Sequence, residues 1–353
     1  MKNLTHLLPL LAVVATNACA GQVQDDANSN RPSDTSAAHA APPARPDRGD
    51  VTGTTQWFVV SDVTFGTHPN DWRKIGYDLD GRITSVDDSI SSKGTCRREP
   101  SSAKTVLADG DGGIDNNLAA RLFSTLRALK ADVGDAMNDS IKKGGETLLL
   151  RLDGVTSDDN ANVTGTVFVA RHAEGAAPTF ASGDRWSIVS SSLYEGVDLA
   201  HPRFVFPWGY MRGGTWVSGP LQAAKIPLGL YVEGRRFEIP FERAQLSFHV
   251  GDGSNGVLAG VTTPAALWTG IEPGLREYAC PSKSYPVSLD IIHQEILQMV
   301  DLVLESDDLQ DPSQPCDAIS VGMGFNVRPV AAPEAIVAAA APEPPVDCGP
   351  PRP

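Results

Sequence analysis

Short apolar runs, separated by turns rich in glycine and proline, dominate the chain between residues 56 and 330. A first buried strand is predicted over residues 57–60, and a second over residues 148–152. Residues 163–169 follow the second across the polar turn 157–160, which is the spacing of a hairpin. Further strand-like runs follow at 186–189, 204–208, 215–217, 226–232, 237–241 and 246–250. The pattern predicts a mainly β fold, an antiparallel and jelly-roll-like β-sandwich.

Two stretches have helical periodicity instead. In the first, apolar residues recur every three or four positions from Asp115, with Asp115 or Asn116 as the cap and Gly144 as the stop. Its apolar positions are Leu118, Leu122, Leu126, Leu129 and Val133. The second runs over residues 288–304. We therefore expect two or three accessory helices that cover open sheet faces.

The N-terminus has the pattern of an export signal. Lys2 precedes the apolar run 7–14, which is too short to span a bilayer. Residues 18–20 fit a signal-peptidase site, and Cys19 also stands where a bacterial lipoprotein carries its lipid. Two outcomes stay open: a lipoprotein acylated at Cys19, at the outer membrane or cell surface, or a freely secreted chain in the periplasm or outside the cell.

Composition then divides the chain. Residues 1–20 are the predicted signal peptide, and residues 21–55 contain almost no large apolar side chain, which predicts a disordered polar tether. Residues 56–330 form one predicted globular domain. The Ala- and Pro-rich tail 331–353 is expected to lie on its surface, held by a disulfide.

Net charge limits the class of partner. The chain has 29 Lys and Arg against 43 Asp and Glu, a formal net charge of −14. Phosphate backbones would be repelled, so no nucleic-acid partner is expected. The membrane is an expected partner only through a lipid on Cys19.

Cysteine usage indicates an oxidising compartment. Removal of the signal peptide leaves four body cysteines, an even number, and no C-x-x-C spacing occurs. Of the three possible pairings we favour Cys280 with Cys316, which brackets the second helix, and Cys96 with Cys348.

Two aspartate-rich segments suggest a hard-cation site. They are YDLDG at residues 77–81 and DGDGGID at residues 109–115. Ca²⁺ takes six to eight oxygen ligands, and glycine lets a loop curl around it. The match to an EF-hand loop is poor, because no glutamate closes the loop, and Asp-Gly pairs are also ordinary turn formers. The candidate ligands are Asp78, Asp80, Asp109, Asp111 and Asp115, with Ca²⁺ as the candidate cofactor.

The motifs YDLDG, DGGIDNNLA and CDAISVGMGF together resemble an uncharacterised family of exported lipoproteins predicted in myxobacteria and their relatives. The resemblance implies export, lipidation and a β-rich body, and it brings no activity. It also implies that the two aspartate-rich pieces run together as one loop. Here an insertion containing Cys96 separates them, which argues against a single shared cation site.

No nucleophile elbow, zinc-protease helix or P-loop occurs in the sequence. Three functions are compatible with the chain. The favoured one is a non-enzymatic binding or surface module of the cell envelope. The others are a hydrolase directed at glycans or esters and a structural component of an envelope assembly. A possible ligand platform is an aromatic group that could hold a sugar ring, Trp208, Tyr210 and Trp216.

Overall fold

The computed structural model describes residues 39–47, 52–66, 68, 70–90, 95–98, 107–124, 126, 133–157, 159–173, 177–195, 198–232, 235–276, 279–280 and 288–339. All of them belong to one compact unit, Ala38–Pro353. The predicted signal peptide, Cys19 and Cys348 lie outside the described residues.

The fold is mainly β, as predicted. The strands are β1 (Thr54–Thr64), β2 (Cys96–Arg97), β3 (Thr147–Val155), β4 (Thr164–His172), β5 (Trp186–Val189), β6 (Phe204–Phe206), β7 (Tyr210–Arg212), β8 (Thr215–Val217), β9 (Gln222–Ala223), β10 (Pro227–Val232), β11 (Arg235–Pro240), β12 (Arg243–His249), β13 (Gly256–Thr262), β14 (Asp311–Pro315), β15 (Ile319–Val330) and β16 (Ile336–Val337). The helices are α1 (Val86–Ile90), the π-helical α2 (Ala119–Phe123), α3 (Val133–Lys142), α4 (Pro264–Leu275) and α5 (Leu289–Gln298).

One twelve-stranded sheet organises the molecule, in the order β16-β5-β4-β3-β1-β15-β13-β12-β8-β7, with β6 on β4 and β9 on β12. All its pairs are antiparallel except β16 with β5. The sheet curls, so that distant strands face each other across a shared core. Phe58 of β1, for example, meets Phe248 of β12 with ring centroids 5.2 Å apart. This arrangement is consistent with the predicted sandwich.

The long central strands follow from their sequence. The buried run Phe58–Val60 in β1 has neighbours on both faces of the sheet, and β3 on its flank is buried over Thr147–Leu150. Strands of this kind are apolar at successive positions rather than at alternate ones. The same apolar runs made β1 and β3 predictable.

The helices differ more from expectation. Of the predicted first helix, the structure describes α2 and α3, and residues 127–132 between them lie outside the described residues. Helix α3 ends shortly before Gly144, which has a positive φ of 84°. Neither Asp115 nor Asn116 caps α2, because both side chains are used in tertiary hydrogen bonds. The second helix begins after the Ser288 cap as expected but ends at Gln298. Helix α4 was missed, although its cap Thr263 is followed by a proline, a typical start signal.

The predicted disulfide pairing is wrong. Cys96 is bonded to Cys316, with their Cα atoms 5.2 Å apart. The parallel ribbon of β2 and β14 explains it, since the Cys316 N–H donates to the carbonyl of Arg97 at 3.0 Å. Cys280 is also disulfide-bonded, and its partner lies outside the described residues.

Ordered structure begins earlier than the boundary predicted at residue 55. The Ala40 N–H donates to the carbonyl of Gly112, and the Asp78 N–H donates to the carbonyl of Ala40, each at 2.8 Å. Further along this segment, the carbonyl of Pro43 accepts from the Tyr210 hydroxyl. Residues 39–47 are therefore a strap on the body. At the other end, Ile336 and Val337 of the predicted tail form β16, which pairs with β5 of the main sheet.

Candidate cation site

The two aspartate-rich segments lie side by side despite the insertion between them. The Asp115 N–H donates to the carbonyl of Tyr77 at 3.0 Å, and the Leu79 N–H donates to Oδ2 of Asp115 at 2.7 Å. At the far end, the Asp109 N–H donates to the carbonyl of Thr84 at 3.0 Å. The insertion therefore does not keep the two segments apart, and one site could take ligands from both.

Three predicted ligands meet at this junction. Asp78, Asp80 and Asp115 each offer a carboxylate oxygen, and these oxygens all lie within 4.8 Å of one another. The side chains of Asp80 and Asp115 belong to residues only 2% and 3% exposed, and that of Asp78 is 2% exposed. We call these three residues the carboxylate centre.

Asp109 and Asp301 extend the carboxylate centre around a small cavity. The cavity has a volume of about 40 Å³ and is lined by Asp109, Asp115 and Asp301 together with Asn116 and Asn117. Both Asp109 and Asp301 are half-buried and face this space. A polar cavity of this size can hold ordered water, which needs about 10–15 Å³ per molecule. The cavity therefore adds room beside the carboxylates.

Burial strongly disfavours ionisation here. It raises the pKa of Asp80 to about 6, that of Asp301 to about 7 and that of Asp109 to about 8, and neighbouring carboxylates add to each effect. Burial also raises the pKa of Asp115 well above its ordinary value. Hydrogen bonds oppose the shift without cancelling it, such as those from the Ser320 N–H and hydroxyl to Asp301.

Two basic side chains of the described residues lie beside these acids. His39 of the N-terminal strap contacts Asp78, and the half-buried guanidinium of Arg98 interacts electrostatically with Asp301. Within the described part of the chain, five carboxyl groups thus lie near one guanidinium group and one imidazole. Such a group is stable when protons or a bound cation neutralise the excess charge.

The disulfide forms part of the same structure. Cys96 and Cys316 both line the cavity, and the Cys96 sulfur lies 3.2 Å from the carbonyl oxygen of Asp301. Thr95, next to it, donates its hydroxyl proton to Asp80. The covalent bond therefore holds one wall of the cavity in place.

One predicted ligand is not part of the site, and one was missed. Asp111 has a 59% exposed side chain and pairs with Arg73 at 3.5 Å. Asp301 is not among the predicted ligands, because the sequence predicts a helix over residues 288–304. In the structure α5 ends before Asp301. Its only sequence signal is an acid within the otherwise apolar run MVDLVL.

The predicted aromatic platform does not form. Trp208 is 58% exposed, but Tyr210 and Trp216 are 7% and 0% exposed. The indole N–H of Trp216 donates to the carbonyl of Val163 at 3.1 Å, and its ring lies in the core against Phe248. Two of the three aromatic residues are therefore used for packing.

Comparison of the chain with protein-family models, curated proteins and solved structures gives no significant match. The resemblance based on the three motifs stays a prediction. Within the described residues, no helix is both long enough and apolar enough to cross a membrane.

Proposed function

We propose that this chain is an exported cell-envelope protein, anchored by a lipid on Cys19, whose β-rich body is a non-enzymatic binding module. In this proposal a Ca²⁺ ion at the carboxylate centre holds the loops of the body together. The observation that carries the proposal is the convergence of Asp78, Asp80 and Asp115 from two separate segments.

The geometry of the carboxylate centre suits calcium. Ca–O bonds of about 2.3–2.6 Å place two ligands of one ion at most about 5 Å apart, and the three oxygens satisfy this limit. All candidate ligands are oxygens, which favours Ca²⁺ or Mg²⁺ over zinc or copper. Ca²⁺ is preferred to Mg²⁺ because it tolerates irregular coordination by loops.

Charge supports the same assignment. Asp80 and Asp115 at the centre are buried, and burial disfavours their ionised forms unless a positive charge lies close to them. A divalent cation neutralises two carboxylates at once. Binding to the folded state alone would stabilise the body by mass action.

The test is thermal unfolding of the purified body at pH 7.5 in EDTA and in excess Ca²⁺. We expect Ca²⁺ to raise the midpoint by about 5 °C or more, because a ligand at about 100 times its Kd contributes about 2.7 kcal/mol. Asp115→Asn should remove this rise while the variant still folds in EDTA, since the amide resembles the protonated acid. Asp80→Asn should behave in the same way.

Asp111→Asn is the matched control, because Asp111 is an aspartate of the same segment that lies outside the carboxylate centre. It should keep the full response to Ca²⁺. Identical melting of the wild type in EDTA and in Ca²⁺ would contradict the proposal, and so would a loss of response in Asp111→Asn equal to the loss in Asp115→Asn.

The disulfide supports export, because structural disulfides persist mainly outside the reducing cytosol. Intact mass spectrometry of the mature protein from a bacterial host tests anchoring. We expect a chain that begins at Cys19 and carries acyl groups. A chain that begins at Gly21 without lipid would leave export in place and overturn the anchor.

A further inference from the structure

A second, larger cavity lies on another part of the body. It is a cleft of about 620 Å³, lined at its floor by Glu146 and Arg236 and at its rim by Tyr194, Arg203 and Lys225. Small-molecule sites in proteins typically have volumes of about 300–1,000 Å³. The cleft is thus large enough for one or two sugar rings.

The floor of the cleft is an ordered polar network. Oε1 of Glu146 accepts from Nε of Arg171 at 3.1 Å, and Oε2 accepts from Nε of Arg236 at 3.3 Å. Arg236 in turn donates from Nη1 to Oε2 of Glu238 at 2.6 Å. Two carboxylates and two guanidinium groups therefore alternate, and their charges balance.

The rim carries an exposed aromatic ring. Tyr194 is 59% exposed, and the guanidinium carbon of Arg203 lies 5.6 Å from its ring centroid. Arg203 is itself held in place, because its Nε donates to the carbonyl of Leu193 at 2.7 Å. The ring is positioned by this contact and still offers apolar surface to a ligand.

Sugars match this combination of groups. A pyranose has hydroxyl groups at its edge, which bond to planar carboxylates and guanidinium groups, and an apolar C–H face that packs on an aromatic ring. The guanidinium group of Arg236 on the floor is paired with carboxylates, and Lys225 at the rim is paired with Glu242 at 3.5 Å. These pairs leave less positive charge for a strongly anionic ligand. We propose that this cleft binds a neutral glycan segment, with Tyr194 as the stacking residue and the Glu146–Arg236–Glu238 network as the hydrogen-bonding floor. This inference deepens the proposed binding function and rests on it for contact with envelope glycans.

The test uses neutral tri- and tetrasaccharides of glucose, mannose, galactose and N-acetylglucosamine, each titrated into the full body by calorimetry in the presence of Ca²⁺. We expect at least one to bind with a Kd below about 1 mM. Tyr194→Ala should weaken that binding about tenfold, which corresponds to the contribution of one aromatic contact. Glu238→Gln should weaken it as well, since one strong acceptor is lost.

Trp208→Ala is the matched control. Trp208 is as exposed as Tyr194, at 58%, but does not line the cleft. This variant should bind within about twofold of the wild type. The absence of binding by every oligosaccharide up to about 10 mM, or a loss in Trp208→Ala but not in Tyr194→Ala, would overturn the inference.

The two proposals fail separately. If the body responds to Ca²⁺ but binds no oligosaccharide, only the proposal of a glycan site is contradicted. If the body binds an oligosaccharide through Tyr194 but melts identically in EDTA and in Ca²⁺, only the proposal of a cation site is contradicted. An acidic oligosaccharide such as oligogalacturonate is titrated in the same way. Tighter binding of this ligand than of every neutral oligosaccharide would overturn the assignment of a neutral ligand.

Discussion

Folding favours the neutral form of three carboxyl groups, those of Asp80, Asp109 and Asp301. Each has a pKa raised from an ordinary 3.8 by burial. In the unfolded chain these groups ionise near pH 4, whereas in the folded chain they hold their protons to higher pH. The folded state therefore binds more protons, and its stability falls as the pH rises between these values.

This gives a pH prediction for the metal-free body. In EDTA, the unfolding temperature should fall from pH 5 to pH 8, by about 5 °C or more. Saturating Ca²⁺ should flatten the profile because the cation replaces the protons. Thermal melts across this range, followed by circular dichroism, provide the measurement, and a midpoint that rises with pH in EDTA would contradict the argument.

Some of these residues could be predicted from the sequence, and others could not. Asp78, Asp80 and Asp115 were found because aspartate next to glycine is a recognisable loop pattern. Asp301 has no such context, since only the packing of its segment against Ser320 brings it to the cavity. Trp216 was misassigned because an aromatic ring in a strand has the same local pattern on either face.

At the scale of elements, the β10–β11 hairpin is joined to the main sheet by charge as well as by packing. Glu146 lies directly before β3 and is only 4% exposed. It accepts a hydrogen bond from Arg236 of the hairpin. Arg171 of β4 pairs with the same carboxylate. Glu146 thus connects three elements through one buried group.

Glu146→Gln should destabilise the body by about 1–3 kcal/mol, because it replaces a buried carboxylate that two partly exposed guanidinium groups share by a weaker, neutral acceptor. Urea unfolding measures the change. Glu334→Gln is the control, since the Glu334–Arg185 pair is 66% exposed on both sides and such pairs contribute about 0–1 kcal/mol. Equal effects of the two substitutions would show that the buried network adds nothing.

Elements with a continuous apolar run were easier to predict than those shaped by distant contacts. Strands β1 and β3 follow from their own residues, and so does the Ser288 start of α5. The ends of helices were harder to predict. The side chains of Asp115 and Asn116 have the chemistry of caps, and only the neighbouring YDLDG loop and β15 divert them to other partners.

At the scale of the whole molecule, the Cys96–Cys316 bond joins residues separated by 220 positions. It links the insertion that contains Cys96 to Cys316, which lies just before β15. Four cysteines allow three pairings, and the sequence spacing favoured the wrong one because it took no account of the β2–β14 ribbon. Long-range pairing is a property of the assembled fold.

The double variant Cys96→Ser/Cys316→Ser should lose about 2–4 kcal/mol of stability. Its affinity for Ca²⁺ should also fall about tenfold, because the disulfide supports a wall beside the carboxylate centre. Chemical unfolding and calcium titration measure the two effects. Cys280→Ser is the control, since Cys280 does not line the cavity, and it should lose stability without a change in calcium affinity.

The outer strands of the main sheet affect whether copies of this protein pair with each other at high concentration. The outer strand β7 has only three residues, and Met211 within it exchanges backbone hydrogen bonds with Asn160 at 2.7 and 3.1 Å. Strand β16, at the other end of the order, has two residues. A neighbouring chain therefore finds few free backbone groups along these two edges on which to add a strand. Outer strands this short favour separate molecules over fibres that grow by edge pairing.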